Sequence, residues 1–342
     1  MTSGSAKGLT AYGWSDRWAA RVRELTASDL RPARVLRHDG AAVLVATGEG
    51  ESQLPLSPGI QVAVGDWVLV DDDLVRRVVE RDALLQRRDP STGGAQLIAA
   101  NVDLVGIVCG LDRPVKRGRL QRFAALAWDA GSTPLIVLTK ADVATDTEEA
   151  LRDAEQASPG VEAIVVSAET GAGLDGLRER LAGSTVVFVG ESGAGKSSLL
   201  NALAGRDLAA TGSVRSGDRK GRHTTTARQL HSIDGAYWVI DTPGVREVGL
   251  QAAAGSVDAA FDDISELAAG CRFRDCRHDT EPGCAVRAAV EGGALSADRL
   301  EAWRGLRREA EAAELRADEH ARRESERAFG RVVRDAKRMK RG

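Results

Sequence analysis

Aromatic residues make up only 4% of this 342-residue chain, with two tyrosines and five phenylalanines. Its cores must therefore rest on Ala, Val, Leu and Ile, which the 43% hydrophobic content supplies. Cysteine is equally scarce, and four in a chain of this length exclude a disulfide-stapled scaffold. No apolar run approaches the roughly 20 residues of a membrane span. The stretch from Met1 to Tyr12 is small and polar, without the apolar segment of a secretory signal. Charge of one sign is missing too: 47 Lys and Arg stand against 50 Asp and Glu. That balance gives no global signature of nucleic-acid binding. The expectation is a cytoplasmic protein with room for two or three domains and no membrane partner.

What is present is unevenly placed. Residues 316–342 hold ten Lys or Arg against five acids, a local +5 in a chain of formal charge −3. Such a run reads either as a solvated helix or as a tail for phosphate backbones. Residues 1–30 read as an extension or a short helix. From Ala33 the texture is short β-runs, at Ala33–Leu36, Ala41–Thr47, Val62–Val70 and Leu74–Val79, spaced as in a small β-barrel. The segment Arg87–Gln96 reads as a turn-rich linker. Beyond it, continuous apolar runs alternate with helical stretches: Leu104–Val108, Leu135–Leu138, Ala163–Val166, Val186–Val189 and Tyr237–Ile240. Runs of that kind suit parallel strands buried on both faces, hence a doubly wound α/β domain. Near Phe261 the strands stop, and Leu300, Trp303, Leu306 and Ala310 recur at helical spacing.

The strongest motif is VVFVGESGAGKSSLLN, in which Gly190, Gly195, Lys196 and Ser197 satisfy G-x-x-x-x-G-K-S between a strand and a helix. Glycines let backbone N–H groups turn toward phosphates, and the helix N-terminus adds a favourable dipole. Lys196 can neutralise β/γ oxygens, and the Ser197 hydroxyl can ligate Mg²⁺. In WVIDTPGVR, Asp241 and Gly244 form D-x-x-G. In LIVLTKAD, Thr139, Lys140 and Asp142 close another strand as T-K-x-D, whose carboxylate accepts from the guanine ring N–H and amine. Adenine has no such donor pair. In VVSAET, the Ser167–Ala168 backbone can reach the guanine carbonyl.

The order is permuted: base reading precedes the phosphate loop, which precedes the switch segments. A site built from loops at the carboxyl ends of parallel strands tolerates that rearrangement. In GRHTTT, Thr225 is the expected Mg²⁺ ligand, with Thr224 and Thr226 as competitors. Val245 follows Gly244 where Ras-like enzymes carry a water-positioning glutamine, which predicts slow intrinsic turnover. His223 could orient the attacking water, or be a loop residue facing RNA or solvent.

Cys271, Cys276, His278 and Cys284 form C-x4-C-x-H-x5-C, a three-thiolate, one-imidazole set typical of closed structural zinc. Cys109, within a buried-strand pattern, reads as core.

With these motifs in this order, from GDWV (Gly65–Val68) through GESGAGKSSLLN, GRHTTT and DTPGVRE to CRFRDCRHDTEPGC, the chain closely resembles the ribosome small-subunit-dependent GTPase A family. The resemblance implies an OB-fold first domain (1–90), a circularly permuted GTPase domain (91–258) and a zinc-binding C-terminal domain with helices (259–342). It implies GTP on Thr139, Lys140, Ala141 and Asp142 and on Gly190, Glu191, Ser192, Gly193, Ala194, Gly195, Lys196, Ser197 and Ser198. It further implies zinc on the Cys/His set, Mg²⁺ with the nucleotide, and His223 as the activating histidine. Its partners would be GTP and GDP, the small ribosomal subunit and its rRNA, with a monomer off the ribosome. Activity would be stimulated by that subunit during late maturation. Thr139 stands where many members have Asn. Two other classes fit parts of the pattern: a P-loop ATPase remodelling RNA, and a non-catalytic RNA-binding scaffold with GTP as a structural ligand.

Overall fold

The computed structural model describes residues 8–25, 30–88, 95–208, 228–241, 257–258, 260–312 and 315. The chain forms two compact units: one of Met1–Arg87 with Gln96–Leu250, the other of Arg88–Ala95 with Gln251–Gly342.

The first unit begins with helix α1 (Asp16–Leu25), which buries Trp18 and Val22 on one face. Five strands follow: β1 (Arg31–His38), β2 (Ala42–Thr47), β3 (Gly50–Pro55), β4 (Trp67–Val70) and β5 (Val75–Val78). Neighbouring pairs are antiparallel, and a bridge from Leu56 to Val75 brings the far edges together. Ala33, Val35, Val43, Val45, Val68, Val70 and Val75 fill the interior, as alternation along β-branched strands requires.

Three departures from the sequence reading have physical causes. The run Val62–Val70 is a strand only from Trp67, because the buried Asp66 carboxylate accepts from Ala63 N at 2.7 Å and turns the chain. Arg81 holds that carboxylate at 2.7 and 2.8 Å. Strand β3 has almost no apolar signal, with only Leu54 buried. It exists because its backbone pairs with β2 from Ala42–Pro55 to Thr47–Gly50. The linker reading of Arg87–Gln96 also yields at its ends, where β6 (Leu84–Arg88) and β7 (Ala95–Ala100) pair.

The nucleotide-type sheet contains β8 (Leu104–Gly110), β9 (Thr133–Thr139), β10 (Ala163–Val165), β11 (Thr185–Gly190), β12 (Gln229–Ile233) and β13 (Tyr237–Asp241). Their spatial order is β10-β9-β8-β11-β13-β12, all parallel except β12, and β12 continues through β1 into the barrel strands. Helices α2 (Arg117–Asp129), α3 (Thr147–Ala157), α4 (Leu174–Leu181) and α5 (Lys196–Ala204) cover the sheet. Asp146 caps α3 by accepting from Glu149 N at 2.8 Å. One core layer joins Val108, Leu135, Val137, Val186 and Val239 to Leu177, Leu199 and Leu203 of the helices.

The second unit is helical among its described residues, with α6 (Asp262–Ala268), α7 (Ala285–Glu291) and α8 (297–312). Phe261, Ile264, Val286, Leu300, Trp303 and Ala310 form its core, so the helical spacing in the sequence marks packing. Arg299, almost fully buried, grips Asp263 through two bonds of 2.6 and 2.7 Å across the Phe261 ring.

Candidate functional site

The parallel strands β8, β9, β10, β11 and β13 point the same way, so their carboxyl ends gather at one edge of the sheet. That edge carries Gly110, Thr139, the segment after Val165, Gly190 and Asp241. It is where an open α/β sheet places its ligands.

The phosphate loop runs from Gly190 at the end of β11 to Gly195, which caps α5. Gly190 has φ 144°, and a Cβ there would stand 2.3 Å from the Val108 carbonyl oxygen. Gly195 has φ 92° and lies against the Thr139 side chain. Both positions therefore require glycine. The Lys196 ammonium folds over the loop and donates to the carbonyls of Gly190 at 2.7 Å and Glu191 at 2.6 Å. Glu191 is tied in turn to Arg119 and, at 3.3 Å, to Lys116.

The T-K-x-D segment lies against this loop. Thr139 Oγ1, buried, donates to the Ala194 carbonyl at 2.6 Å. Lys140 adopts the left-handed conformation (φ 61°), a strained backbone that costs about 1–3 kcal/mol and recurs at ligand sites. Its ammonium donates to Asp112 at 2.9 Å. Bonds from Arg113 and Lys140 hold the Asp112 carboxyl down at about 2. Asp142 is exposed, and Ser167 Oγ donates to its Oδ1 at 2.5 Å. Ser167 is itself buried, bonded through its backbone to Ala172 and Gly171. The carboxylate thus presents its second oxygen from a fixed rotamer. Asp241 is half-buried, and burial raises its pKa despite His231 nearby. A hydroxyl at Ser197 and a carboxylate at Asp241 are the hard oxygen donors that Mg²⁺ takes.

In the second unit the ligand atoms of Cys271, Cys276, His278 and Cys284 lie within 4.8 Å of one another. Cys271 Sγ and Cys284 Sγ stand 3.5 and 3.4 Å from His278 Nδ1, and 3.9 Å from each other. Tetrahedral zinc at ordinary bond lengths spaces sulfur from sulfur by about 3.8 Å and sulfur from nitrogen by about 3.6 Å. The cluster therefore fits such an ion, with Nδ1 as the imidazole ligand. The surrounding loop is shaped by Glu281, which accepts from the N–H groups of Arg277, Asp279 and Thr280. Those bonds hold its carboxyl near 2.

Residues 78–251 match the model of the RsgA GTPase family. Across 99% of each chain, this one is also 41% identical to the small ribosomal subunit biogenesis GTPase RsgA of Streptomyces coelicolor. The chain belongs to the RsgA GTPase family. It is a GTP hydrolase. The RsgA relative of Mesorhizobium japonicum is 41% identical over 88% of this chain and 90% of its own. Among solved structures, YjeQ from Thermotoga maritima superposes with a TM-score of 0.64 at 28% identity, covering 82% of this chain and 98% of that one. The circularly permuted GTPase YloQ shares the fold, with a TM-score of 0.60.

The RsgA fold brings together Thr139, Lys140, Asp142, Ser167, Gly190 and Lys196, as the permuted motif order requires. His223, Thr224, Thr225, Thr226, Gly244 and Val245 lie outside the described residues, as does the basic tail after Leu315. Cys109 sits half-buried in β8, and burial pushes its thiol up to about 11. That is the behaviour of an inert core thiol. Sequence reasoning missed Asp112, Lys116 and Arg119. Asp112 follows the end of β8, a position whose strand-end location was the available signal. Arg119 sits on a helix and meets Glu191 only through the fold.

Proposed function

We propose that this chain is a ribosome-assembly GTPase that binds the small subunit in its GTP state and leaves it after hydrolysis. The observation that carries the reading is the Thr139–Ala194 bond, which sets a guanine-reading carboxylate at a fixed offset from a phosphate loop. The relatives named for small ribosomal subunit biogenesis support the partner.

In this account Asp142 accepts from the guanine N1–H and exocyclic amine, the Lys140 stem lies along the base, and Ala141 completes that loop. Ser167 positions Asp142, and the Ala168 N–H reaches the guanine carbonyl. The backbone of Glu191, Ser192, Gly193, Ala194, Gly195 and Ser198 surrounds the phosphates. Lys196 leaves its two carbonyls for the β/γ oxygens. Ser197 and Thr225 and, through water, Asp241 would hold Mg²⁺, which would supply charge neutralisation at those oxygens. Gly244 meets the γ-phosphate through its N–H, and His223 orients the attacking water.

The Cys/His set holds one structural zinc ion. The barrel is an OB-fold that, with the basic tail, contacts rRNA. The modules are 1–90, 91–258 and 259–342. The protein works in the cytoplasm and is a monomer off the ribosome. No helix among the described residues is long and apolar enough to cross a membrane.

Sedimentation with purified small subunits tests the cycle. The protein should pellet with subunits in a non-hydrolysable GTP analogue and stay in the supernatant with GDP. Equal partition in both states would contradict it.

A further inference from the structure

The first unit contains a cavity of about 290 Å³ at the end of the sheet away from the phosphate loop. Thr185 opens β11 and lines this cavity, whereas Gly190 closes the same strand at the nucleotide edge. At about 3.3 Å per residue the two sites stand roughly 17 Å apart. None of the residues assigned to guanine nucleotide above lines it.

Its walls combine three kinds of group. Trp14, Trp18 and Trp238 supply aromatic surface. The Trp238 indole N–H is engaged with the Ala11 carbonyl at 2.7 Å, and the residue is 7% exposed, so the half-buried Trp14 offers the accessible ring. The second group is Arg34, 2% exposed. It donates through Nη2 to Thr185 Oγ1 at 2.8 Å and through Nη1 to the Tyr12 carbonyl. Its guanidinium sits 5.1 Å from the Trp67 ring and 5.8 Å from that of Trp238. Its buried Nε has no hydrogen-bond partner among the described residues. A buried donor left this way costs about 1–3 kcal/mol, and it is the charge of the guanidinium that favours an acceptor at this wall of the cavity. Burial lowers this arginine only to about 10, which leaves it cationic at neutral pH.

Third, Asp103 lines the same cavity from the loop before β8. Its Oδ2 accepts from Thr185 N at 2.7 Å, and its side chain is exposed. Thr185 is therefore the shared neighbour of a cation and a carboxylate, one bonded to its hydroxyl and the other to its amide. A ligand seated here meets a donor and an acceptor side by side, next to the Trp14 ring. That is how proteins read a single unstacked base: stacking on the rings, hydrogen bonds along one edge. A guanidinium suits a carbonyl or ring-nitrogen acceptor, and a carboxylate suits adjacent N–H donors. Guanine carries both along one edge.

We propose that this cavity is a second base-binding site, separate from the phosphate loop, that takes one guanine base from either a free nucleoside or an unpaired position of RNA. Trp14 holds the base by one face, Arg34 by its acceptor edge, and Asp103 by its N–H donors.

The test uses the full-length protein with its nucleotide site saturated by GDP and Mg²⁺. Two probes follow by equilibrium dialysis, labelled guanosine and the trinucleotide UpGpU. Asp103→Asn is the diagnostic variant, because its amide oxygen can still accept from Thr185 N while its NH₂ opposes the guanine donors. Guanosine binding at one per chain, weakened about tenfold or more by Asp103→Asn, supports the site and identifies a free nucleoside. Binding of UpGpU alone, weakened in the same way, supports the site and identifies RNA. In the first case xanthosine, with a carbonyl in place of the amine, should bind the variant better than the parent, and in the second case the trinucleotide with xanthine in place of guanine should do so. Trp14→Leu should weaken the same probe with GDP affinity unchanged. Absence of binding by both probes, or equal binding to parent and Asp103→Asn, overturns the proposal.

Discussion

Thr139 donates from its buried hydroxyl to the backbone carbonyl of Ala194, 2.6 Å away and 55 residues along the chain. One bond thereby sets the spacing between the T-K-x-D segment and the G-x-x-x-x-G-K-S loop, the proposed base and phosphate sites. Replacing it by valine keeps the shape and leaves the carbonyl unpaired, at a cost of about 1–3 kcal/mol. Thr139→Val should weaken GDP roughly tenfold, measured by calorimetry. Thr139→Asn, which restores a donor, should retain affinity. An unchanged GDP affinity in Thr139→Val would show that the spacing is fixed elsewhere.

Asp142 is held by Ser167 with one oxygen presented outward, so in the proposed function its chemistry and not its position would decide the base. Asp142→Asn offers a donor where guanine needs an acceptor. GTP affinity should fall roughly a hundredfold, with xanthosine triphosphate bound in its place and ATP still excluded. A nucleotide competition assay reads all three, and retained GTP preference in the variant would remove Asp142 from base reading.

Asp112 restrains the strained Lys140 through an exposed ion pair, a weak interaction by its exposure. Asp112→Asn should weaken GDP about two- to fivefold. The sign with pH follows from its depressed pKa, about 2 against an ordinary 3.8. The contribution is present above 3.8 and lost as pH falls through about 2. The parent-to-variant ratio should therefore stay flat across neutral pH, in GDP titrations run from about pH 5 to pH 9. A ratio that collapses within that window would assign the effect to another group.

The Cys/His cluster predicts one zinc per chain by elemental analysis. Cys284→Ser removes a thiolate and also the N-cap of α7, where its Sγ accepts from Arg287 N. The variant should lose the metal and melt the second unit, while GDP affinity in the first unit stays within about twofold. Glu281→Ala should speed zinc loss to a chelator by loosening the loop around His278. Full zinc content in Cys284→Ser would mean that the ion sits elsewhere.

Most of the site was readable before the fold, because its residues stand in contiguous motifs at strand ends. Gly190 to Ser197 needs a strand before it and a helix after it, and both carry their own hydrophobic pattern. The C-x4-C-x-H-x5-C spacing is similarly local. What the sequence hid depends on pairing across the chain. Strand β3 is polar and exists through its ladder with β2. The break at Asp66 needs Arg81, and the Glu191 tether needs Arg119. The cavity around Arg34 joins residues as distant as Trp14 and Trp238, and no local pattern announces it.

Phosphate release from GTP and from ATP, measured with and without purified small ribosomal subunits, tests the account most directly. It predicts slow release from GTP alone, at least about a tenfold rise with subunits, equal to roughly 1.4 kcal/mol of barrier, and no release from ATP in either case. Turnover indifferent to the subunits, or ATP hydrolysed as readily as GTP, would contradict it.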